Sequence, residues 1–340
     1  MKSLISIVAF LMLSLTAFCQ GGVNFEHITF DEALAKAKAE NKLVFMDCYT
    51  SWCGPCKYMS ETIFPQEKAG EFFNPKFVCV KFDMEKGEGP ELAKKFGVRA
   101  YPTFVIVNPD GTIRHKLVGG GEGEKFIERV KESFDDNKAL GALDAKYNSG
   151  NRDKAFLSQY AQVMVANYDP NAKAIVDELL KISTDEEKLS EDYWFIFGNS
   201  ELSPKDSEAA KFLTDNRSKF NETIGKEKVD SRLSEGLFRE ILMVIAGRGQ
   251  KTDVKRLDAI GREVKALKLS NEKTLLSSLA IAKAVKTENI DKILTACEKE
   301  LPKLGKDSQM IAYYLSGSLA KANDTQKARW QKIVQANTGK

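Results

Sequence analysis

The chain has 340 residues, of which 43% are hydrophobic and 29% are charged, and its formal net charge is +3. This composition is that of a water-soluble globular protein of about two domains, and it excludes a disordered chain and a multi-span membrane protein. A charge this close to zero gives no electrostatic basis for binding nucleic acid or an anionic membrane surface. Only two histidines are present, His27 and His115, which is too few for a histidine-rich metal site, so the six cysteines are the residues most suited to chemistry.

Residues 1–19 have the pattern of a secretory signal peptide. Lys2 supplies the positive start, residues 4–18 form an uncharged stretch of 15 residues, and Cys19 is a small residue at the position that signal peptidase reads. We therefore expect cleavage near Cys19/Gln20, with the mature chain exported to the periplasm or the extracellular medium.

Two alternatives for this segment stay open. An uncleaved anchor needs about 20 apolar residues to span a bilayer, more than this stretch provides. A lipid anchor on Cys19 is disfavoured by the bulky Phe18 directly before it.

Export would place the other cysteines in an oxidising compartment, where free thiols need a physical reason. These cysteines are Cys48, Cys53, Cys56, Cys79 and Cys297.

The first half of the mature chain alternates between helical and extended patterns. Thr29 and Glu32 form a capping box, which predicts a helix that ends at about Asn41. Almost continuous apolar runs then predict strands buried on both faces. These runs cover residues 43–49, 77–82 and 103–107.

A strong turn follows the third of these strands. Asn108–Gly111 predicts a hairpin whose second strand covers residues 112–118, and a further helix is expected at about residues 124–134. The order of elements predicts a compact α/β domain over residues 20–136, with helices on the faces of a sheet.

The strand signals stop after residue 136. Residues 137–340 carry repeated apolar stripes at helical spacing, such as Phe156, Tyr160 and Met164, and Ser203-Pro204 has the pattern of a helix start. We therefore predict an all-α helical domain. A TPR-like array of helical pairs stays open, because no fixed repeat period is visible.

Cys53 and Cys56 are separated by two residues and lie between the first predicted strand and a helical stretch at residues 58–63. A helix N-terminus favours a thiolate over a thiol. We expect the N-terminal Cys53 to be exposed and to act as the nucleophile, and Cys56 to resolve the mixed disulfide. A plain structural disulfide is the alternative. Half of a zinc site is a further alternative, but no second pair of cysteines or histidines supplies the other two ligands.

The segment Trp52–Lys57 resembles the active-site signature of thioredoxin, and Tyr101-Pro102-Thr103 is similar to the cis-proline loop of that family. The resemblance covers about residues 20–136 and implies a thioredoxin-like α/β domain with a redox-active Cys53–Cys56 disulfide. It also implies a set of client-binding residues, which are Trp52, Gly54, Pro55, Tyr101, Pro102 and Thr103.

The resemblance extends to the buried charges below the dithiol. Asp47 matches the buried acid of the thioredoxins, and Lys81 matches its lysine partner. A desolvated carboxyl group has a raised pKa and can relay the proton of the resolving thiol. For Asp47 taken alone, a turn residue at a strand end is the alternative.

The dipeptide between the cysteines indicates the direction of the reaction. Protein disulfide isomerases, which the segment Phe96–Thr103 also resembles, usually have His where this chain has Pro55, and Gly-Pro implies a more reducing pair. The resemblance therefore implies an exported reductase of disulfides in envelope proteins, with a membrane or envelope thiol reductant as electron donor and neither cofactor nor metal. A disulfide isomerase or oxidase is one alternative, and a redox-gated protein that binds partners through the helical domain is another.

The remaining motifs have structural interpretations. If Asp47 and Lys81 are cross-strand neighbours, Cys79 shares their face of the sheet and Cys48 points to the other, so both are expected to be buried core thiols. Cys297 is expected in the helical core, with a redox-accessible thiol as the alternative. Gly119–Gly123 is interpreted as a turn, because it lacks a phosphate-binding pattern. We expect His115 at a surface or an edge.

Overall fold

The computed structural model describes residues 21–338, and the chain divides into two compact units, Met1–Ser183 and Thr184–Lys340. The predicted signal peptide at residues 1–19, the cleavage site near Cys19/Gln20 and the lipid-anchor alternative lie outside the described residues. Within residues 21–338, no helix is both long enough and apolar enough to cross a membrane.

The first unit contains a mixed five-stranded sheet. In chain order the strands are β1 (Phe25–Glu26), β2 (Leu43–Tyr49), β3 (Phe77–Asp83), β4 (Thr103–Val107) and β5 (Ile113–Val118). In space their order is β1-β3-β2-β4-β5; β1 and β2 run parallel to β3, while β4 runs antiparallel to both β2 and β5. This confirms the predicted α/β class.

Eight α-helices of this unit lie in the described part of the chain. They are α1 (Phe30–Glu40), α2 (Gly54–Tyr58), α3 (Glu67–Phe73), α4 (Gly89–Lys95), α5 (Gly123–Lys131), α6 (Leu140–Asn148), α7 (Lys154–Ala166) and α8 (Ala172–Ile182). The predicted capping box is confirmed: the Thr29 hydroxyl accepts the Glu32 N–H, and the Glu32 carboxylate accepts the Thr29 N–H. Helix α2 continues as a π-helical turn, Met59–Ile63, and α5 as a 3-10 turn, Glu132–Phe134.

Each face of the sheet has its own core. The first face packs under α1 and α4 and includes Met46 and Cys48. The second face packs under α3 and α5 and includes Phe45 and Cys79. Cys48 and Cys79 are free and buried, and burial raises the pKa of both thiols. Both are core thiols on opposite faces, as predicted.

Helix α6 covers the free edge of β5. The Leu140 N–H donates to His115 Nδ1 at 3.1 Å, and a Cβ atom on Gly141 would lie 2.1 Å from the Ile113 carbonyl oxygen. His115 is therefore only 2% exposed. Our expectation that His115 lies at the surface is wrong. Its strand, β5, is an edge strand of the sheet, but α6, a helix beyond residue 136, packs on that edge. The division into compact units accordingly falls at Ser183/Thr184 and not at residue 136.

Among its described residues, the regular secondary structure of the second unit is helical. Its α-helices are α9 (Asp185–Lys188), α10 (Trp194–Phe197), α11 (Glu208–Asp215), α12 (Arg217–Phe220), α13 (Lys226–Ile245), α14 (Val254–Leu267), α15 (Glu272–Val285), α16 (Ile290–Glu300), α17 (Ser308–Leu315) and α18 (Asp324–Thr338). Cys297 is fully buried in this core, which confirms the prediction of a core thiol and contradicts the accessible alternative. Burial raises its pKa to about 12.

Candidate active site

The dithiol lies where β2 passes into α2. Tyr49 ends the strand, and Cys53 is the N-cap residue of the helix. Pro55 occupies the first helical turn, where the backbone N–H that proline lacks would have no acceptor within the helix. The helix begins at Gly54, earlier than the predicted stretch at residues 58–63, and both thiols are therefore in its first turn.

Cys53 and Cys56 form a disulfide with a Cα–Cα distance of 5.3 Å. Both residues are 3% exposed, so our expectation that exposure distinguishes Cys53 is wrong. A hydrogen bond distinguishes it instead: the Cys56 N–H donates to Cys53 Sγ at 3.1 Å. A donor held against one sulfur at a helix start favours the thiolate of that residue after reduction. The roles of nucleophile and resolving thiol stay predictions.

Asp47 lies inside β2 and pairs in register with Lys81 of β3, on the second face of the sheet. Its position within the strand excludes the alternative of a strand-end turn residue. The side chain is 1% exposed, and neither carboxylate oxygen has a hydrogen-bond partner among the described residues. Desolvation raises the pKa of Asp47 to about 7, and the charge of Lys81 offsets only part of that rise.

Lys81 is a cross-strand neighbour of Asp47 and does not hydrogen-bond to it. Its ammonium group lies 5.7 Å from the ring centroid of Phe25 and 6.0 Å from that of Tyr49. The lysine therefore acts on the carboxyl group through its charge alone, and aromatic faces help to hold it.

The predicted client-binding residues adjoin the dithiol cysteines in sequence or belong to the segment Tyr101–Thr103, and we call them together the wall. The Tyr101–Pro102 bond is cis, Pro102 and Thr103 are buried, and Gly54 and Pro55 are exposed. Trp52 is 65% exposed, and its ring meets that of Tyr101 edge-on with centroids 5.9 Å apart. A large exposed aromatic side chain next to a reactive pair is suited to client contact.

Two neighbours of this wall were not predicted from the sequence. Glu85, in the loop after β3, accepts the Trp52 indole N–H at 2.9 Å. Gly120, in the loop after β5, approaches so closely that a Cβ atom would lie 2.9 Å from Met59 Sδ and 3.9 Å from Pro102 Cγ. The run of glycines at residues 119–121 is a loop, as predicted, but no local pattern indicated that it lies against the site.

The arrangement is suited to thiol–disulfide exchange. It combines a cysteine pair at a helix start, a backbone donor on one sulfur, and a buried carboxyl group whose pKa permits it to take up or release a proton near neutral pH. Within residues 21–338, there is no cluster of three or more His, Cys, Asp or Glu side chains that could hold a metal ion.

Comparison with known proteins places this site in a family context. Residues 30–133 match the family model of a thioredoxin-like domain. The chain is 39% identical over 90 residues to a thioredoxin H-type of Oryza sativa subsp. indica, a match that covers 26% of this chain and 68% of the relative. It is 28% identical over 100 residues to the thiol:disulfide interchange protein DsbD of Pseudomonas fluorescens, which covers 28% of this chain and 17% of the relative.

A protein of known structure is also similar in sequence. A candidate disulphide-isomerase from Bacteroides thetaiotaomicron shares 44% sequence identity, with a TM-score of 0.32, over 34% of this chain and 95% of that one. Each of these matches covers about a third of the chain or less.

Proposed function

The chain belongs to the thioredoxin-like family of thiol-disulfide oxidoreductases, and from that premise we propose that it reduces disulfides in proteins of the cell envelope. The observation that carries the direction is Pro55, which lies between the cysteines in the first turn of α2. A histidine at that place would stabilise the reduced thiolate and make the pair an oxidant. Proline adds no such donor, which favours a reducing pair.

The reaction proceeds in two exchange steps from the dithiol form. The Cys53 thiolate attacks a client disulfide, one Cys53–client disulfide forms, and the first client sulfur leaves as a thiolate that takes up a proton. The Cys56 thiol then loses its proton, attacks Cys53 Sγ and releases the second client thiolate. The client gains two electrons, and the Cys53–Cys56 disulfide seen in the structure is the oxidised product.

Asp47 is suited to accept the proton of Cys56 in the second step. An ionised Asp47 is a stronger base than an ordinary carboxylate, since its pKa is raised to about 7 by burial. Client polypeptide would lie along the wall of Trp52 and Tyr101 and meet the extended backbone at Pro102.

Export and regeneration complete the proposal. The pattern of residues 1–19 supports export to the periplasm or the extracellular medium. Outside the cytoplasm the oxidised pair needs a thiol reductant to return it to the dithiol. The similarity to a thiol:disulfide interchange protein supports a donor that acts by thiol–disulfide exchange, and we propose that this donor is a thiol reductant of the membrane or envelope.

A disulfide isomerase is the second candidate. The segment Phe96–Thr103, which resembles that of protein disulfide isomerases, favours it. Isomerisation needs only the attacking thiol, because the client ends with the same number of disulfides. A Cys56→Ser variant that loses reduction of a client but still rearranges scrambled disulfides would favour isomerisation.

The proposal is tested by trapping clients in the native compartment. With Cys56→Ser, attack by Cys53 stops at the mixed disulfide, and we expect envelope proteins linked through Cys53 that are released by dithiothreitol. The matched control is Cys53→Ser, which keeps Cys56 but lacks the proposed nucleophile and should capture none. Equal capture by both variants, or none by Cys56→Ser, would contradict the proposed mechanism.

A further inference from the structure

The loop after β5 lies against the cis-proline segment and the helix that carries the dithiol. We call residues 118–121, which begin with the last residue of β5, the glycine loop. The Gly119 N–H donates to the Pro102 carbonyl oxygen at 2.8 Å, and Gly120 contacts Met59 and Pro102. The glycine loop therefore joins the cis-proline segment to the helix that carries the dithiol.

Three successive glycines make this loop intrinsically flexible. Gly119, Gly120 and Gly121 have no side chains to anchor them, and Gly119 adopts a positive φ of 79°. Glycine loses more conformational entropy on ordering than any other residue, so the loop needs an external constraint to hold one conformation. The close approach to Met59 explains why Gly120 is small, but it does not hold the loop in place.

Arg129 of α5 supplies that constraint. Its Nη2 donates to the Val118 carbonyl oxygen at 2.8 Å, and its Nη1 donates to the carbonyl oxygens of Gly119 and Gly120, each at 3.1 Å. The planar guanidinium group can hold several acceptors in a fixed geometry, which an ammonium group cannot. The group is half-buried, and burial lowers the pKa of Arg129, with partial compensation from Glu132.

We infer that Arg129 is a positioning residue for client binding. It fixes three carbonyl groups of the glycine loop, and so directs the Gly119 N–H to Pro102 and holds the cis-proline segment in its binding conformation. The inference rests on the proposed function, in which that segment receives the client, but the contact on which it depends can be measured without any client.

The test compares Arg129→Met, Arg129→Lys and a matched control, Arg232→Met. Arg232 is also a half-buried arginine with a pKa lowered by burial, and it donates to the carbonyl oxygens of Phe197 and Ser203 in the second unit. Hydrogen exchange of the Gly119 amide is measured first. In Arg129→Met we expect that exchange to be about tenfold faster, because the loop that aims this donor is released. In Arg232→Met it should not change.

Kinetics with dithiothreitol as electron donor then separate positioning from stability. In Arg129→Met we expect the KM for a folded disulfide-containing protein to rise about fivefold with little change in kcat, and in Arg129→Lys to rise less. The kcat/KM for a small aromatic disulfide, which needs few contacts with the cis-proline segment, should stay at the wild-type value.

Unchanged Gly119 exchange in Arg129→Met would overturn the inference, and so would an equal loss of activity with protein and small disulfide. If Arg129→Met does not fold, Arg129→Lys with wild-type exchange at Gly119 and a wild-type KM overturns it. If the wild-type protein reduces no disulfide, the proposed function fails, whereas the exchange result still decides whether Arg129 holds the loop.

Discussion

Asp47 is a buried carboxyl group with no hydrogen-bond partner on either oxygen among the described residues, and it lies in β2, the strand that leads into the dithiol helix. A charge in such a place costs folding free energy, which is tolerated where the group has a chemical task. The folded pKa of about 7 is above the ordinary value of 3.8, so the folded state binds more protons than the unfolded chain between those two pH values. The contribution of Asp47 to stability is therefore complete below pH 3.8 and is lost as the pH rises through about 7.

We predict that Asp47→Asn is more stable than the wild type at pH 8, by about 2 to 4 kcal/mol, because the variant has no buried charge to desolvate. The difference should vanish near pH 4, where the wild-type carboxyl group is neutral in the folded state. Urea unfolding of both proteins across this pH range provides the measurement. A difference that does not change with pH would contradict the raised pKa.

The wild-type curve alone cannot show this effect, because His115 titrates in the opposite sense. Burial, together with the charges of Arg114 and Arg129, lowers the pKa of His115 to about 4, so its contribution to stability is present above its ordinary pKa of 6.5 and is lost as the pH falls through 4. The subtraction of the Asp47→Asn curve from the wild-type curve removes the His115 contribution.

Some residues of the site could be predicted from the sequence and others could not. The dithiol is contiguous in sequence, so a local pattern is sufficient for it, whereas Asp47 and Lys81 could be predicted only through the resemblance to thioredoxin; the structure pairs them in register on adjacent strands. Glu85 contacts Trp52, and Arg129 contacts the glycine loop, only through tertiary folding, and neither residue has a local signature. The low exposure of Cys53 could not be predicted either, because it depends on which side chains fold over the start of the helix.

At the level of elements, the sequence predicts the longer strands and misses the shortest one. Four strands appear where continuous apolar runs or the hairpin turn predict them, whereas β1 has two residues and forms only through its pairing with β3.

The predicted helix start at Ser203-Pro204 is wrong: α11 begins at Glu208, with Ser207 as its N-cap. The Ser203 hydroxyl does not cap a helix and donates instead to the Asn199 carbonyl oxygen. The Ser-Pro pattern in the sequence does not indicate this contact.

The contact of α6 with the sheet edge gives a prediction with an internal control. Gly141→Ala should destabilise the first unit by about 1 to 3 kcal/mol, because the added Cβ meets the Ile113 carbonyl oxygen and the backbone must shift. Gly236→Ala, also within a helix, has open space around its added Cβ and should stabilise the second unit by about 0.5 to 1 kcal/mol.

Calorimetry of the two variants in the full-length chain checks both signs. If Gly141→Ala is stabilising, α6 does not pack on β5 as the structure shows. If Gly236→Ala is destabilising, the higher helix propensity of alanine does not decide the outcome at that position.

At the level of the whole molecule, the class of the second half could be predicted from its apolar stripes, but its topology could not, because a stripe shows that a face is buried and not which helix covers it. The helical-pair array stays a prediction. The extent of the first unit is a related case, since α6 to α8 belong to it by contact although their sequence is helical.

We therefore predict that a fragment of residues 21–183 folds and reduces small disulfides as the full chain does. A fragment of residues 21–136 should be less stable and prone to associate, because it exposes His115 and the free edge of β5. Circular dichroism, light scattering and turnover of both fragments test this. Equal stability and solubility of the two fragments would contradict the structural role of α6.

The reduction potential of the Cys53–Cys56 pair, measured by equilibration of the full-length protein with defined dithiol–disulfide buffers, tests the proposed direction of electron flow most directly. With Pro55 between the cysteines, we predict a value near the thioredoxin potential of about −270 mV. A value near that of a strong oxidant, about −120 mV, would contradict a reductase.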